Sequence, residues 1–314
     1  MKAVINKPKT GINERLKRFK KALPLTIMAL PMLIYFFIFN YLPLYGLVLP
    51  FKDYSVSKGF FGSDWCGLEN FKFLLNNSQL NTAIINTLFY NIVFIFGGIF
   101  FSVAIALMLF EVSRRAVKVH QTLLYLPYYI SWVIVAYAAK AFLDSDYGLV
   151  NKILAAFGAE PKLWYNSPSY WPGILIFAAI WKGAGSDAVL YYASLMGVDK
   201  SLFEAADIDG ANKFQVIRYI TLPSIRPIII MMTILKVGKI FYGDFGLFYN
   251  LTFNSSLLYK TTDILDTYVY RALITLGDTG LSSAVGFVQS VLGFILVVFT
   301  NFVVNKIDSD CALF

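Results

Sequence analysis

Six long apolar runs, each set off from the next by a polar stretch, leave this chain few ways to fold. They cover roughly 23–50, 82–110, 122–143, 171–195, 227–249 and 283–304. A helix needs about 20 apolar residues to cross the hydrocarbon core of a bilayer. Lipid offers no partner to an unpaired backbone amide, so each run is expected as a membrane-spanning helix. The fourth and fifth runs are interrupted by charged residues. Composition agrees with this reading, since only 15% of residues are charged where soluble domains carry about 25%.

Charge placement orients the spans. Arg and Lys accumulate in loops on the cytoplasmic side. Eight of them lie within residues 1–21, and Arg114, Arg115, Lys118, Lys200, Lys213, Arg218, Arg226 and Lys306 share that side, against seven in the intervening loops. The expectation is six helices with both termini inside. Residues 1–21 form a basic cytoplasmic tail, and 22–81 hold the first transmembrane helix and an extracytoplasmic loop. Residues 82–304 form a core of five transmembrane helices containing the cytoplasmic segment 192–226, and 305–314 form a second cytoplasmic tail. The apolar run after the basic tail is too long for a signal peptide and has no small-residue cleavage site, so it is expected to be retained. Long outside loops at 52–81, 144–170 and 250–282 are rich in turn residues.

The same features exclude several functions. The net charge of +8 follows the topology, which makes nucleic acid an unlooked-for partner. With one histidine, His120, no His-based metal centre can be assembled. Cys66 and Cys311 fall on opposite sides, so no disulfide joins them. Phosphate-loop and His-Glu-x-x-His motifs are missing. Asp187 and Asp244 lack the Gly-x-Gly-Asp context of an intramembrane protease. An enzyme is not expected.

The segment 192–226 is polar and helix-prone between two apolar runs. Ser201 and Glu204 fit a capping box, predicting a short helix from Leu202 to about Asp209, ended by a left-handed turn at Gly210. Asn212 can cap a second helix, and Pro223 and Pro227 bound the entry to the fifth span. The small pair Ala205-Ala206 is expected on the surface, with Leu202 and Phe203 beside it as apolar anchors. On local physics alone this could equally be an ordinary hairpin.

The spacing Glu204-Ala205-Ala206, Gly210, then Ile220-Thr221-Leu222-Pro223 resembles the EAA loop of ABC importer permeases, the cytoplasmic element that grips the ATP-hydrolysing subunit. Tyr41-Leu42-Pro43-Leu44-Tyr45-Gly46, Gly67-Leu68-Glu69-Asn70-Phe71, Trp181-Lys182-Gly183 and the run Thr262 to Arg271 are similar to carbohydrate-uptake permeases of the maltose type, in the LplB-like oligosaccharide and polysaccharide branch. The resemblance implies an all-α, type I ABC importer permease in the cell membrane. It implies a second homologous permease, two ATPase subunits, an extracytoplasmic solute-binding protein and a sugar or oligosaccharide substrate as partners, with membrane lipid around them. ATP and magnesium are then bound on the ATPase chains, with no cofactor in this one. Leu202, Phe203, Glu204, Ala205, Ala206 and Gly210 take the coupling role. Related importers of peptides, polyamines or anions share the loop and remain an alternative. A secondary transporter gives no reason for it.

Ionisable residues at membrane depth are costly and usually face protein or water. Lys182 and Asp187 in the fourth span, and Lys236, Lys239 and Asp244 in the fifth, therefore mark a pathway, with Trp181 and Tyr242 as aromatic faces for a sugar. Lys236 and Lys239, three apart, are expected on one helix face, leaving room for an anionic sugar. The structural alternative is that Lys182 and Asp244 each close an ion pair.

Overall fold

The computed structural model describes residues 12–307. The basic tail lies outside the described residues as far as residue 11, and the second tail, with Cys311, does so from residue 308 onward. Helix α1 (Ile12–Phe36) continues through a π turn and a tighter 3-10 stretch, so that Leu23–Phe51 forms one apolar rod. Its residues 23–45 are exposed, and it meets the rest of the chain through its far end, where the Phe51 ring lies 5.5 Å from that of Phe287.

A two-residue antiparallel pair, β1 (Lys52–Asp53) with β2 (Asp64–Trp65), closes the loop that follows. The buried Lys52 ammonium donates to the carbonyl of Phe60 at 2.9 Å and sits over the rings of Phe60 and Trp65. Asn70 donates to the carbonyls of Pro50 and Lys52, tying the loop to the end of the rod.

The helical core comprises α2 (Ser78–Glu111), α3 (Arg114–Tyr129), α4 (Trp132–Phe142), α5 (Trp171–Leu195), α6 (Lys200–Ile208), α7 (Lys213–Val237), α8 (Phe245–Leu251), α9 (Leu265–Thr275) and α10 (Thr279–Ile307). Among the described residues, five helices are long and apolar enough to cross a membrane, and a bent pair makes a sixth. Asn77 opens α2, accepting from the amides of Gln79 and Leu80. The expected loop 52–81 therefore ends at residue 77, and the loop 250–282 contains α9.

Two spans depart from expectation. The third, read as continuous over 122–143, bends by 90° between α3 and α4. Pro127 stands inside the last turn of the first half, which ends at Tyr129; Ile130 and Ser131 are extended, and the Ser131 hydroxyl caps α4. The fifth, read over 227–249, ends as a helix at Val237, and α8 begins only at Phe245. Its start lies further back, at Lys213, so Pro223 and Pro227 stand inside it instead of at its entry. A π turn at Ile217–Thr221, in which the Leu222 amide reaches the Ile217 carbonyl, carries the helix past the missing amide of Pro223.

Three buried clusters hold the bundle. Ala106, Ala188, Tyr191, Leu195 and Ile225 join α2, α5 and α7. Tyr90, Ala136, Trp171, Leu175 and Phe248 join α2, α4, α5 and α8. Leu80, Ala83, Tyr268, Ala272, Leu281 and Val285 join α2, α9 and α10. Small residues allow the close approaches that lipid-embedded helices depend on. A Cβ at Gly185 would collide with the Leu124 carbonyl oxygen, and one at Gly293 would come within 2.8 Å of the Gly238 oxygen.

Candidate functional site

Two features of this bundle carry chemistry, one at its end and one at its middle. At the end, Asp199 opens α6 by accepting the Ser201 amide at 3.0 Å. That bond holds the Asp199 carboxyl below its ordinary range. Asp199 therefore takes the capping place expected of Ser201, and no Ser201–Glu204 box forms. The helix closes in a Schellman turn: Ala211 donates to the Ala206 carbonyl at 2.9 Å, Gly210 to that of Asp207 at 3.2 Å, and Gly210 takes a φ of +70°. Asn212 and Gln215 then cap α7 reciprocally.

This elbow is seated on α2. The Phe203 ring lies 5.5 Å from that of Phe110, and Lys213 pairs with Glu111 at 2.6 Å. Phe203 is half-buried and Ala206 buried, so these two face inward, not outward as expected. Leu202, Glu204, Ala205 and Gly210 are exposed. Beside them stand Ile208, 86% exposed, and Phe214, apolar residues whose exposure the sequence reading did not single out.

At the middle, both broken spans open onto a cavity of about 250 Å³, bordered by Tyr128, Trp132, Lys182, Asp187, Lys236 and Asp244. Four of the seven residues expected along a pathway thus converge. Lys236 pairs with Asp187 at 2.5 Å, joining α7 to α5. Asp244 closes no ion pair among the described residues: it accepts the Trp132 indole N–H at 2.7 Å and caps α8 through the Leu247 amide at 3.1 Å. Lys182 donates to the Tyr128 carbonyl, freed by the bend, at 2.6 Å, and lies 5.5 Å from the Tyr128 ring and 5.2 Å from that of Trp132.

The other three lie elsewhere. Trp181 turns into an apolar groove beside Leu123, Leu124 and Pro127. Tyr242 shares a hydrogen bond with Ser290 at 2.7 Å. Lys239 falls in the turn beyond the end of α7, exposed, with no side-chain partner among the described residues and outside the lining of the cavity that Lys236 borders. The unwound stretch 238–244 is held by its neighbours: Asn91 donates to the carbonyls of Ile240 and Tyr242, Gln289 to that of Phe241, and Asp266 accepts the Gly243 amide. Non-helical backbone at membrane depth persists only when buried in protein or lining a cavity. Tyr128 and Trp132 were missed in the sequence, although Pro127 and Ser131 between and beside them signal the break that brings them in.

Comparison with known proteins adds three findings. The model of the family described as binding-protein-dependent transport system inner membrane component matches residues 98–309. Protein LplB and the polygalacturonan/rhamnogalacturonan transport system permease protein YteP, both of Bacillus subtilis strain 168, are each 36% identical over 290 residues. These alignments span 91% of this chain and 90% and 89% of those proteins. A chain in the crystal structure of a bacterial ABC transporter involved in the import of the acidic polysaccharide alginate superposes with a TM-score of 0.85 at 34% identity, over 94% of this chain and all of that one. A chain in the crystal structure of a bacterial alginate ABC transporter in complex with an alginate pentasaccharide-bound periplasmic protein superposes with a TM-score of 0.84 at 33% identity, over 93% of this chain and 97% of that one.

Proposed function

The chain belongs to the family of binding-protein-dependent transport system inner membrane components, and from that premise we propose that it forms half of the membrane pathway for a sugar or oligosaccharide. It is a multi-pass membrane protein and a transport component of an ABC importer, not an enzyme. A second homologous permease completes the pathway, two ATPase subunits hydrolyse ATP with magnesium, and an extracytoplasmic binding protein delivers the solute. The relatives named for polygalacturonan, rhamnogalacturonan and alginate favour a carbohydrate over peptides, polyamines or inorganic anions.

The observation that carries the coupling half of this reading is the elbow. It is seated firmly on α2 through Phe203 and Lys213, and turns Leu202, Ala205 and Ile208 outward. Exposed apolar side chains around a small residue suit insertion into a groove on another protein. With both termini inside, this surface faces the cytoplasm, where closure of the ATPase pair would push α6 and, through α2 and α7, the walls of the cavity.

The test is ATP-driven uptake of oligosaccharide in vesicles holding all the partners. Ala205→Arg is expected to insert and assemble with the second permease while losing transport and uncoupling it from ATP hydrolysis. Normal uptake by a well-assembled Ala205→Arg importer sinks the coupling role.

A further inference from the structure

Two charges bordering the cavity between the broken spans lie outside any ion pair among the described residues, the Lys182 ammonium and the Asp244 carboxylate, and Lys182 is the one with donors left over. Asp187 and Lys236 neutralise each other. Asp244 is satisfied by the Trp132 indole and the Leu247 amide. Lys182 has no carboxylate within ion-pair distance among the described residues. An ammonium carries three donors, and only one is taken, by the Tyr128 carbonyl.

The ring faces of Tyr128 and Trp132 attract the cation but supply no negative charge. A charge at membrane depth without a counter-ion is costly, and a ligand that brings an anion removes that cost. The same two rings offer flat apolar faces. A volume of about 250 Å³ is just below the roughly 300 Å³ lower bound of small-molecule pockets, room for a single sugar ring at a time.

Resting on the permease reading above, we propose that Lys182 is the specificity-determining residue for a carboxylated sugar. One uronic acid unit lays its ring against Tyr128 or Trp132 while its carboxylate takes the free donors of Lys182. Asp187 and Asp244, which border the same cavity, can accept from sugar hydroxyls. Lys239, outside the cavity, has no part in this.

The experiment uses the complete importer, purified with its second permease and ATPases, and titrates it calorimetrically with trigalacturonate and with maltotriose. Lys182→Gln is expected to weaken trigalacturonate binding about tenfold or more, the worth of a charge-assisted hydrogen bond, and to leave maltotriose unchanged. Lys182→Arg is expected to restore trigalacturonate binding, which a purely structural role for the lysine would not give. Equal loss for both sugars, no loss for either, or a wild-type complex that ignores trigalacturonate overturns the proposal. ATP-driven uptake measured alongside separates the two readings. An importer that works but is indifferent to Lys182 refutes the carboxylate site alone, whereas one that never transports a sugar refutes the permease reading beneath it.

Discussion

At the scale of single residues, the ion pair between Asp187 and Lys236 shows what membrane depth does to charge. Both side chains are about a quarter exposed, so water screens them only partly. Removing one partner of a fully buried pair costs about 3–5 kcal/mol, while replacing both with apolar groups is often neutral. For this half-buried pair, Asp187→Asn is expected to cost roughly 1–3 kcal/mol, read as a lowered Tm in detergent. The double variant Asp187→Asn with Lys236→Met should regain most of it, and a double variant as unstable as the single one would contradict the pairing. The charged residues themselves were legible in the sequence, because polar groups in apolar runs stand out. Their partners were not. Asp187 and Lys236 lie 49 positions apart, and the three-residue spacing of Lys236 and Lys239 implied a shared face only while the helix was assumed to continue beyond Val237.

At the scale of elements, the helices that run straight were readable to within a few residues, and the broken ones were not. An apolar run has the same composition whether its backbone is helical throughout or unwound at a glycine. What decides the matter is whether neighbouring elements supply hydrogen bonds, and for 238–244 they come from Asn91 and Gln289 on distant helices. Asn91→Leu leaves the carbonyls of Ile240 and Tyr242 without their side-chain donor, at a cost of about 1 kcal/mol, since Ile240 is only half-buried and Tyr242 is exposed. Faster amide exchange confined to 238–244 is the expected signature, and unchanged protection there would show that another donor takes over. The elbow was more legible, because Gly210 and Asn212 are local signals that act on adjacent backbone. The orientation of α6 was not, since which of its sides meets α2 depends on Phe110.

At the scale of the whole molecule, the spans were legible in hydropathy, with the third as a bent pair, while their orientation is an expectation that rests on Lys and Arg counts alone. That orientation can be tested directly. In a chain whose Cys66 and Cys311 are replaced by Ser, Val56→Cys and Ile208→Cys place thiols at positions 84% and 86% exposed, on opposite ends of the bundle. A membrane-impermeant maleimide added to intact cells is expected to label the first and spare the second until the cells are permeabilised. The reverse pattern would invert the topology and remove the elbow from reach of a cytoplasmic ATPase. The Asp187–Lys236 pair also has a consequence in time. A ribosome adding about 5–20 residues per second makes Asp187 wait about 2–10 s before Lys236, 49 residues later, has been synthesised. For that interval Asp187 lacks the ion-pair partner it has in the folded protein, so the fourth span is expected to linger beside the insertion channel and enter the bilayer together with the fifth, making the two spans a single unit of biogenesis.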